Sequence, residues 1–481
     1  MSQDNRNGRP QGRPPQGGAP RLSRTEAGLR TPFLGFFTSA VLWLVVASVL
    51  ALVAAVKLHR PGFLGACELT TYGRVAAAAQ DVFVYGWGFN ALFAVNFWLM
   101  AQLGRFEFRN GWLATLGGAT WNLALTYGVV QILRGHLGGF ALLDLPREVG
   151  PVLLLAFLLS ALWSVVTYAR RPSGHHFASQ WYVIGATFAL PIVFLLAQLM
   201  VLWFPTVGTV QALAHTWFVQ NLMVLWFGAS TLAAAYYFLP KVLGRPLSHY
   251  YLAPIGFWTL FLFAGWSSPA GLLGAPLPIW LQSVGVVASV MSIIPVVITG
   301  INFYATLAAG GGWSRAWNST TLRFVLVGVV SFTLFGALAA VFSTRDFSAV
   351  LRFTSFAQGQ QQLLTYGALT MTVFGASYFI LPRLTGSLWP SAKLVHLHFW
   401  ASFLGLVIAV GAALIGGWQV GHLLADASVP AAQASAISAG WAAAAGSLAA
   451  ILFLVGHVAF ALNAFGMILS SNTPTSEGRP D

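Results

Sequence analysis

Charged residues are nearly absent from this chain: Asp, Glu, Lys and Arg make up 7% of its 481 residues, whereas hydrophobic types make up 57%. Soluble domains carry about a quarter charged residues, so a mean hydropathy of +0.74 excludes that class and indicates a polytopic membrane protein. Cysteine is scarcer still. Cys67 is the only one, which excludes an intrachain disulfide, any multi-cysteine metal site and a thiolate-bridged dinuclear copper centre. Acidic residues are also few, 11 against 24 Lys and Arg. No phosphate loop is present: Gly310, Gly311 and Gly312 are followed by Trp313 rather than by Lys and Ser or Thr, so this segment is expected to be a flexible connection.

What is present is a succession of long apolar runs. A membrane helix needs roughly 20 apolar residues, and the sequence supports twelve spans, near 32–56, 82–103, 112–133, 148–169, 180–204, 209–239, 250–266, 276–306, 319–343, 359–382, 393–417 and 438–468. The expected fold is therefore all-α, a twelve-helix membrane domain over 32–468. Residues 1–31 are rich in Gly, Pro, Arg and Gln, with no short apolar core before Pro32. They are expected to form a disordered basic tail rather than a signal peptide, and 469–481 a polar C-terminal tail. An even number of spans puts both termini on one side. Seventeen Lys and Arg fall on the side of the termini, and seven on the other: Lys57, Arg60, Arg74, Arg134, Arg147, Arg345 and Arg352. The positive-inside rule makes both termini cytoplasmic. The net charge of +13 then reflects topology and contact with membrane lipid, and no nucleic-acid partner is expected.

Several segments carry a resemblance. The sixth span reads from His215 through Gln220 and Asn221 to the run Ala235, Tyr236, Tyr237, Phe238, Leu239, Pro240, Lys241. The seventh holds Gly256, Phe257, Trp258 and continues to Gly265, Trp266, Ser267, Ser268, Pro269. Later come Phe374 to Pro382 and the stretch Leu394, Val395, His396, Leu397, His398, Phe399, Trp400. In order and spacing these resemble the catalytic subunit, subunit I, of cbb-type cytochrome c oxidase in the haem-copper oxidase superfamily, which also includes nitric oxide reductases. The similarity runs from about Gly73 to the last span.

The resemblance implies a low-spin haem held by two histidines, a high-spin haem held by one, a copper ion held by three, and a nearby tyrosine. Carried over by position, the first low-spin haem ligand falls at Ala79, or at Gln80 one residue on, and the second at Gln362. The high-spin haem ligand falls at Gln360. The copper ligands fall at Gln220, Ala270 and Gly271, the tyrosine at Ala264, and an acidic residue of the ninth span at Gly336. Copper takes imidazole, thiolate or thioether donors, and haem iron an imidazole or sulfur axial ligand; amides, methyl groups and glycine supply none of these.

The chain is therefore expected to be a ligand-degenerate homologue with no catalytic residue, no metal and no haem. Its expected role is a non-catalytic subunit or assembly partner of a respiratory complex in a bacterial inner membrane. Two alternatives stay open. One is an active terminal oxidase or nitric oxide reductase, with haem and copper on unrecognised ligands. The other is a channel or transporter through a polar cavity lined by Gln80, Asp81, Gln220, Asn221, Gln360 and Gln362, since intramembrane polar clusters mark pathways. The blander expectation for these residues is hydrogen bonding between helices. His215, His396, His398 and His457 are expected to be hydrogen-bonded or interfacial rather than ligands, as are His175 and His176 in a loop beside Arg170 and Arg171. For Asp81, the one carboxylate of the group, the alternative to the cavity is the outer interface.

Overall fold

The computed structural model describes residues 23–105, 107, 111–172, 174 and 176–470, and these contain helices and no strands. We number the bundle helices α1 (Arg24–His59), α2 (Tyr72–Gly104), α3 (Gly111–Arg134), α4 (Val149–Ala169), α5 (Ala178–Trp203), α6 (Thr209–Leu243), α7 (Ala253–Trp266), α8 (Ile279–Asn318), α9 (Thr320–Phe342), α10 (Ser355–Thr385), α11 (Ala392–Ala425) and α12 (Trp441–Ser470). Among the described residues ten of these are long and apolar enough to cross a membrane. The spans expected at 112–133 and 250–266 correspond to α3 and α7. The first is long but, with Asn122, Gln131 and several Gly and Thr, less apolar; the second has only 14 residues.

Helix ends follow local chemistry. Ser23 Oγ accepts from the Glu26 amide at 3.2 Å, and Glu26 Oε2 accepts from the Ser23 amide at 3.0 Å. This capping box satisfies orphan donors at the helix start and begins α1 at Arg24. Residues 24–31, assigned above to the tail, are thus helical; residues 1–22 and 471–481, where the rest of both tails was expected, lie outside the described residues. The two Leu-Pro motifs act as stops. In α6 and α10, Pro240 and Pro382 sit in the last turn, and Gly244 and Gly386 follow at φ +68° and +71°, each donating to the proline carbonyl at 3.0 Å. Only glycine takes that left-handed cap without strain. At Gly310 and Gly311 the backbone also enters the left-handed region, inside α8, where the sequence suggested a flexible connection.

Three helices form the centre. In the most apolar stretches of α2, α6 and α10, 94%, 94% and 89% of residues are buried within the protein, against 33–50% in the other candidate spans. Hydropathy follows position: 1.3, 1.6 and 1.4 for the central three, 2.1 to 2.6 for those around them. A helix facing lipid must be apolar all round its outer face, while a helix sheathed by others can carry polar side chains where they find partners. α1, α9, α11 and α12 pack around this centre, with α11 against α12, α1 against α12 and α9 against α10.

Small residues set the closest approaches, as is usual where lipid removes the hydrophobic drive for helix association. Gly328 of α9 lies where an added Cβ would meet Thr372 Oγ1 at 2.1 Å, and Gly367 of α10 where one would meet Ser331 at 2.5 Å. The two glycines interlock the same pair of helices from both sides. Between α3 and α4, Gly117 meets Ser160 in the same way at 2.4 Å.

Gly328→Val is expected to destabilise the bundle by roughly 1–3 kcal/mol through overpacking. Gly35→Ala, with nothing within 4 Å, should be neutral or slightly stabilising. Unfolding midpoints in detergent check both.

Candidate functional site

The central helices are distorted in a patterned way. α2, α6 and α10 each contain a π-helical stretch, Val82–Gly88, Leu222–Gly228 and Leu363–Thr370. These begin three, two and one residues after Ala79, Gln220 and Gln362. Single-turn π segments cost regular hydrogen bonding and concentrate at functional sites, where they re-aim side chains. A fourth, Gln198–Trp203, ends α5.

The carried-over positions gather around two cavities. The larger encloses about 470 Å³ between α1, α2, α10 and α12; Ala79, Gln80 and Gln362 line it, with Ser48, Tyr366 and His457. The smaller encloses about 210 Å³, and Gln220, Ala270, Gly271 and Gln360 line it, with Arg352 and several hydroxyls. Ala264 and Gly336 line a pocket of about 50 Å³ that shares Gln220 with it. Gln360 and Gln362 therefore belong to different cavities, as two residues 200° apart on a helix should. Gln361 lines both.

The single polar cavity drawn from the sequence is accordingly corrected to two, and two of its six residues line neither. Asp81 is fully buried within the protein, beside the 135–148 connection. It faces the Leu145 backbone and Asp144, and neither carboxylate oxygen closes a hydrogen bond. Asn221 is buried and donates to the Trp217 carbonyl at 2.8 Å. Each lies one residue beyond a lining glutamine, and the 100° step turns it to another face.

Neighbours occupy part of the space that longer side chains would need. A Cβ at Gly336 would meet Val296 Cγ2 at 2.1 Å, and a Cβ at Gly271 would meet Thr216 Cγ2 at 2.8 Å and Arg352 Nη1 at 3.4 Å. Among the described residues no three of His, Cys, Asp and Glu converge as a metal-binding group.

Two imidazoles are fully interior. His457 is not isolated in α12: its Nδ1 lies 2.5 Å from Ser48 Oγ and its Nε2 2.7 Å from Tyr366 Oη. Ser48 spends its proton on the Leu44 carbonyl at 2.7 Å, so Nδ1 carries the hydrogen and Nε2 accepts from the tyrosine, a tautomer assigned from the network. His398 Nδ1 pairs with Tyr378 Oη at 2.8 Å, and its Nε2 has no partner. His215 Nε2 meets the Ala141 carbonyl at 2.9 Å. His396 is exposed. His176 contacts Tyr168 and Arg171, and His175 lies outside the described residues. The residues the sequence analysis missed are Ser48, Tyr366, Gln361 and Arg352. Only Gln361, which lies between Gln360 and Gln362, carried a local signal.

An all-helical bundle with ten helices able to cross a membrane among the described residues defines a class, membrane proteins of the haem-copper oxidase subunit I fold. The chain belongs to the cytochrome c and quinol oxidase polypeptide I family, whose profile matches residues 32–452. It is 23% identical to the Cbb3-type cytochrome c oxidase subunit CcoN1 of Stutzerimonas stutzeri, covering 79% of this chain and 82% of that protein. It is 25% identical to a cytochrome c oxidase subunit 1 homolog of Agrobacterium tumefaciens, covering 79% and 72%. In fold it matches a chain of a heme-copper terminal oxidase dimer with a TM-score of 0.74 at 13% identity, over 94% of this chain and 85% of that one. The resemblance to cbb-type subunit I is thus borne out.

Outside the membrane spans, Asp144 lies in the 135–148 connection. Burial raises its pKa above the ordinary carboxylate range, partly offset by a backbone hydrogen bond from Gly139 and by His215. A raised native pKa means that stability is full below the unfolded value and is lost as pH rises through the native one. Asp144→Asn is therefore expected to stabilise the protein at pH 7, with the advantage shrinking toward pH 4. Unfolding midpoints at the two pH values test this; a pH-independent difference counts against it.

Proposed function

We propose that this chain is a ligand-degenerate member of its family: a non-catalytic subunit or assembly partner in a multi-subunit respiratory complex of a bacterial inner membrane. One observation carries the reading. The positions where the resemblance puts six ligands converge on two interior cavities, and they present amides, a methyl group or bare backbone there. Copper and haem iron both need imidazole or sulfur at those points. Val296 and Arg352 occupying adjoining space supports a site rebuilt around the loss. With no ligand set for either metal, the residues present do not fit the cofactors, and no electron or oxygen chemistry is assigned to them. The helix-packing surfaces are independent of those ligands and remain available to partner subunits.

A second reading has a specific observation in its favour: His457 faces the larger cavity and could hold a haem if it gave up Tyr366. Both its nitrogens are engaged, and breaking that network would leave a buried hydroxyl unpaired at a cost of about 1–3 kcal/mol. Protein purified from its native membrane, free of other subunits, should show no Soret band and negligible copper. One wash-resistant haem per chain, lost in His457→Ala, would establish the second reading instead.

The orientation proposed is with both termini cytoplasmic. Reporter fusions after Arg170 and Arg245 are expected to report cytoplasm, and fusions near Arg134 and Arg345 periplasm; a periplasmic C-terminus would overturn it.

A further inference from the structure

The outer face of α3 does not suit lipid. With 24 residues the helix is long enough to span, yet it is not among those apolar enough to cross a membrane, and so is more polar than the enclosed α2, α6 and α10. It nevertheless lies at the outside of the bundle, packed against α4 and α1, with Leu123 72% exposed. That inverts the relation between hydropathy and enclosure found for the central and surrounding helices. Thr115, Thr126 and Tyr127 are exposed and Thr120 is half-buried. The neighbouring α4 does the opposite: it exposes Val152, Leu155, Leu158 and Leu162 and buries Ser160, Ser164 and Thr167.

At 100° per residue, Leu116, Leu123 and Tyr127 run down the middle of the exposed face, with Thr115 and Thr126 along one flank and Thr120 along the other. Thr115 and Thr126 donate to the carbonyls of Gly111 and Asn122 at 3.1 and 2.7 Å. The Thr120 hydroxyl closes no hydrogen bond among the described residues. At a rise of 1.5 Å per residue it lies ~14 Å from the Gly111 end and ~21 Å from the Arg134 end, which is well inside a hydrocarbon core of about 30 Å. Water does not reach that depth from a lipid-facing surface, and an unpaired polar group there is costly. The strip is one helix wide, because the exposed side chains beside it, those of α4 and Leu42, Val46 and Val49 of α1, are apolar.

We propose that the outer face of α3 seats a single transmembrane helix of another subunit, which presents a Ser, Thr, Asn or Gln side chain to Thr120. Hydroxyls and amides that bond across helices are a usual means of association in membranes. A second copy of this chain fits the strip less well. In a symmetric parallel pair, Thr120 faces the opposite flank of its mate, where Thr115 and Thr126 lie about 7.5 and 9 Å away along the axis. Neither distance allows a hydrogen bond, so the hydroxyl stays unpaired. The proposal rests on the reading of this chain as a subunit of a larger complex.

The test uses the full chain with Cys67→Ser, which removes its only cysteine, and a nitroxide attached at Leu123→Cys on α3 or, as control, at Leu155→Cys on α4. Oxygen accessibility is read by EPR in lipid nanodiscs, for the isolated chain and for the complex purified from its native membrane. Both labels are expected to be open to oxygen in the isolated chain. In the complex the label at 123 should lose accessibility severalfold, and the label at 155 should keep it. Thr120→Val keeps the side-chain shape and removes the hydroxyl; it should return accessibility to the 123 label in the complex while leaving the unfolding midpoint of the isolated chain unchanged. Loss of one subunit on labelling 123 but not 155 also supports the proposal. Where Leu123→Cys fails to fold, Leu116→Cys probes the same face. A 123 label that stays open in a complex with all its subunits overturns this proposal alone. Dipolar broadening between two 123 labels identifies a second copy and overturns it as well. A chain that leaves its native membrane with no other subunit defeats the assembly reading and the proposal with it.

Discussion

Inside a membrane no water is available to a buried polar group, so each must find its partner within the protein or remain costly. That constraint orders the bundle. The helices with the lowest hydropathy, α2, α6 and α10, are the most enclosed, and their polar side chains are tied across helix boundaries. Trp87 donates to Thr370 at 3.0 Å, Asn96 to Ser230 at 3.2 Å, and Tyr236 to Asn302 at 2.8 Å. Asn122 joins Trp43 and Asn90 in one network. Interhelical bonds of this kind contribute roughly 0.6–2 kcal/mol each; their larger effect is to fix helix rotation.

The same constraint shows in how the family fold is packed. Packing is concentrated away from the two cavities. Phe89, Phe93, Trp121, Phe157 and Trp226 form one aromatic cluster, with centroids 4.7–6.4 Å apart. Phe324, Phe374, Tyr378, His398 and Phe460 form another. Glycine seams at Gly117, Gly328 and Gly367 lock neighbouring helices. The π-helical stretches of α2, α6 and α10 lie beside the cavities.

Legibility in the sequence followed periodicity and order. Ten of the spans expected from apolar runs are helices long and apolar enough to cross a membrane, α3 and α7 fall at the other two, and the short α7 was marked by its Gly-Phe-Trp and Ser-Ser-Pro segments. The start of α1 was missed because Arg and Glu in its first turn look like a tail, and the capping box at Ser23 and Glu26 outweighs that composition. The glutamines at 220, 360 and 362, singled out through the spacing of the flanking motifs, line cavities. Asp81 and Asn221 were grouped with them by proximity along the chain, which ignores the 100° turn per residue. His457 was expected to be hydrogen-bonded or interfacial, but its partner was not legible because Ser48 lies 409 residues away in sequence.

By itself the sequence determined the class, ten of the twelve expected spans and the family, and it singled out by resemblance the positions to inspect, because hydropathy and motif order are properties of the chain alone. Only the tertiary structure decided that those positions divide between two cavities, that Arg352 reaches the corner beside Gly271, and that Tyr366, His457 and Ser48 form one network. Such facts arise where helices distant in the chain meet, and no local pattern encodes the distance between them.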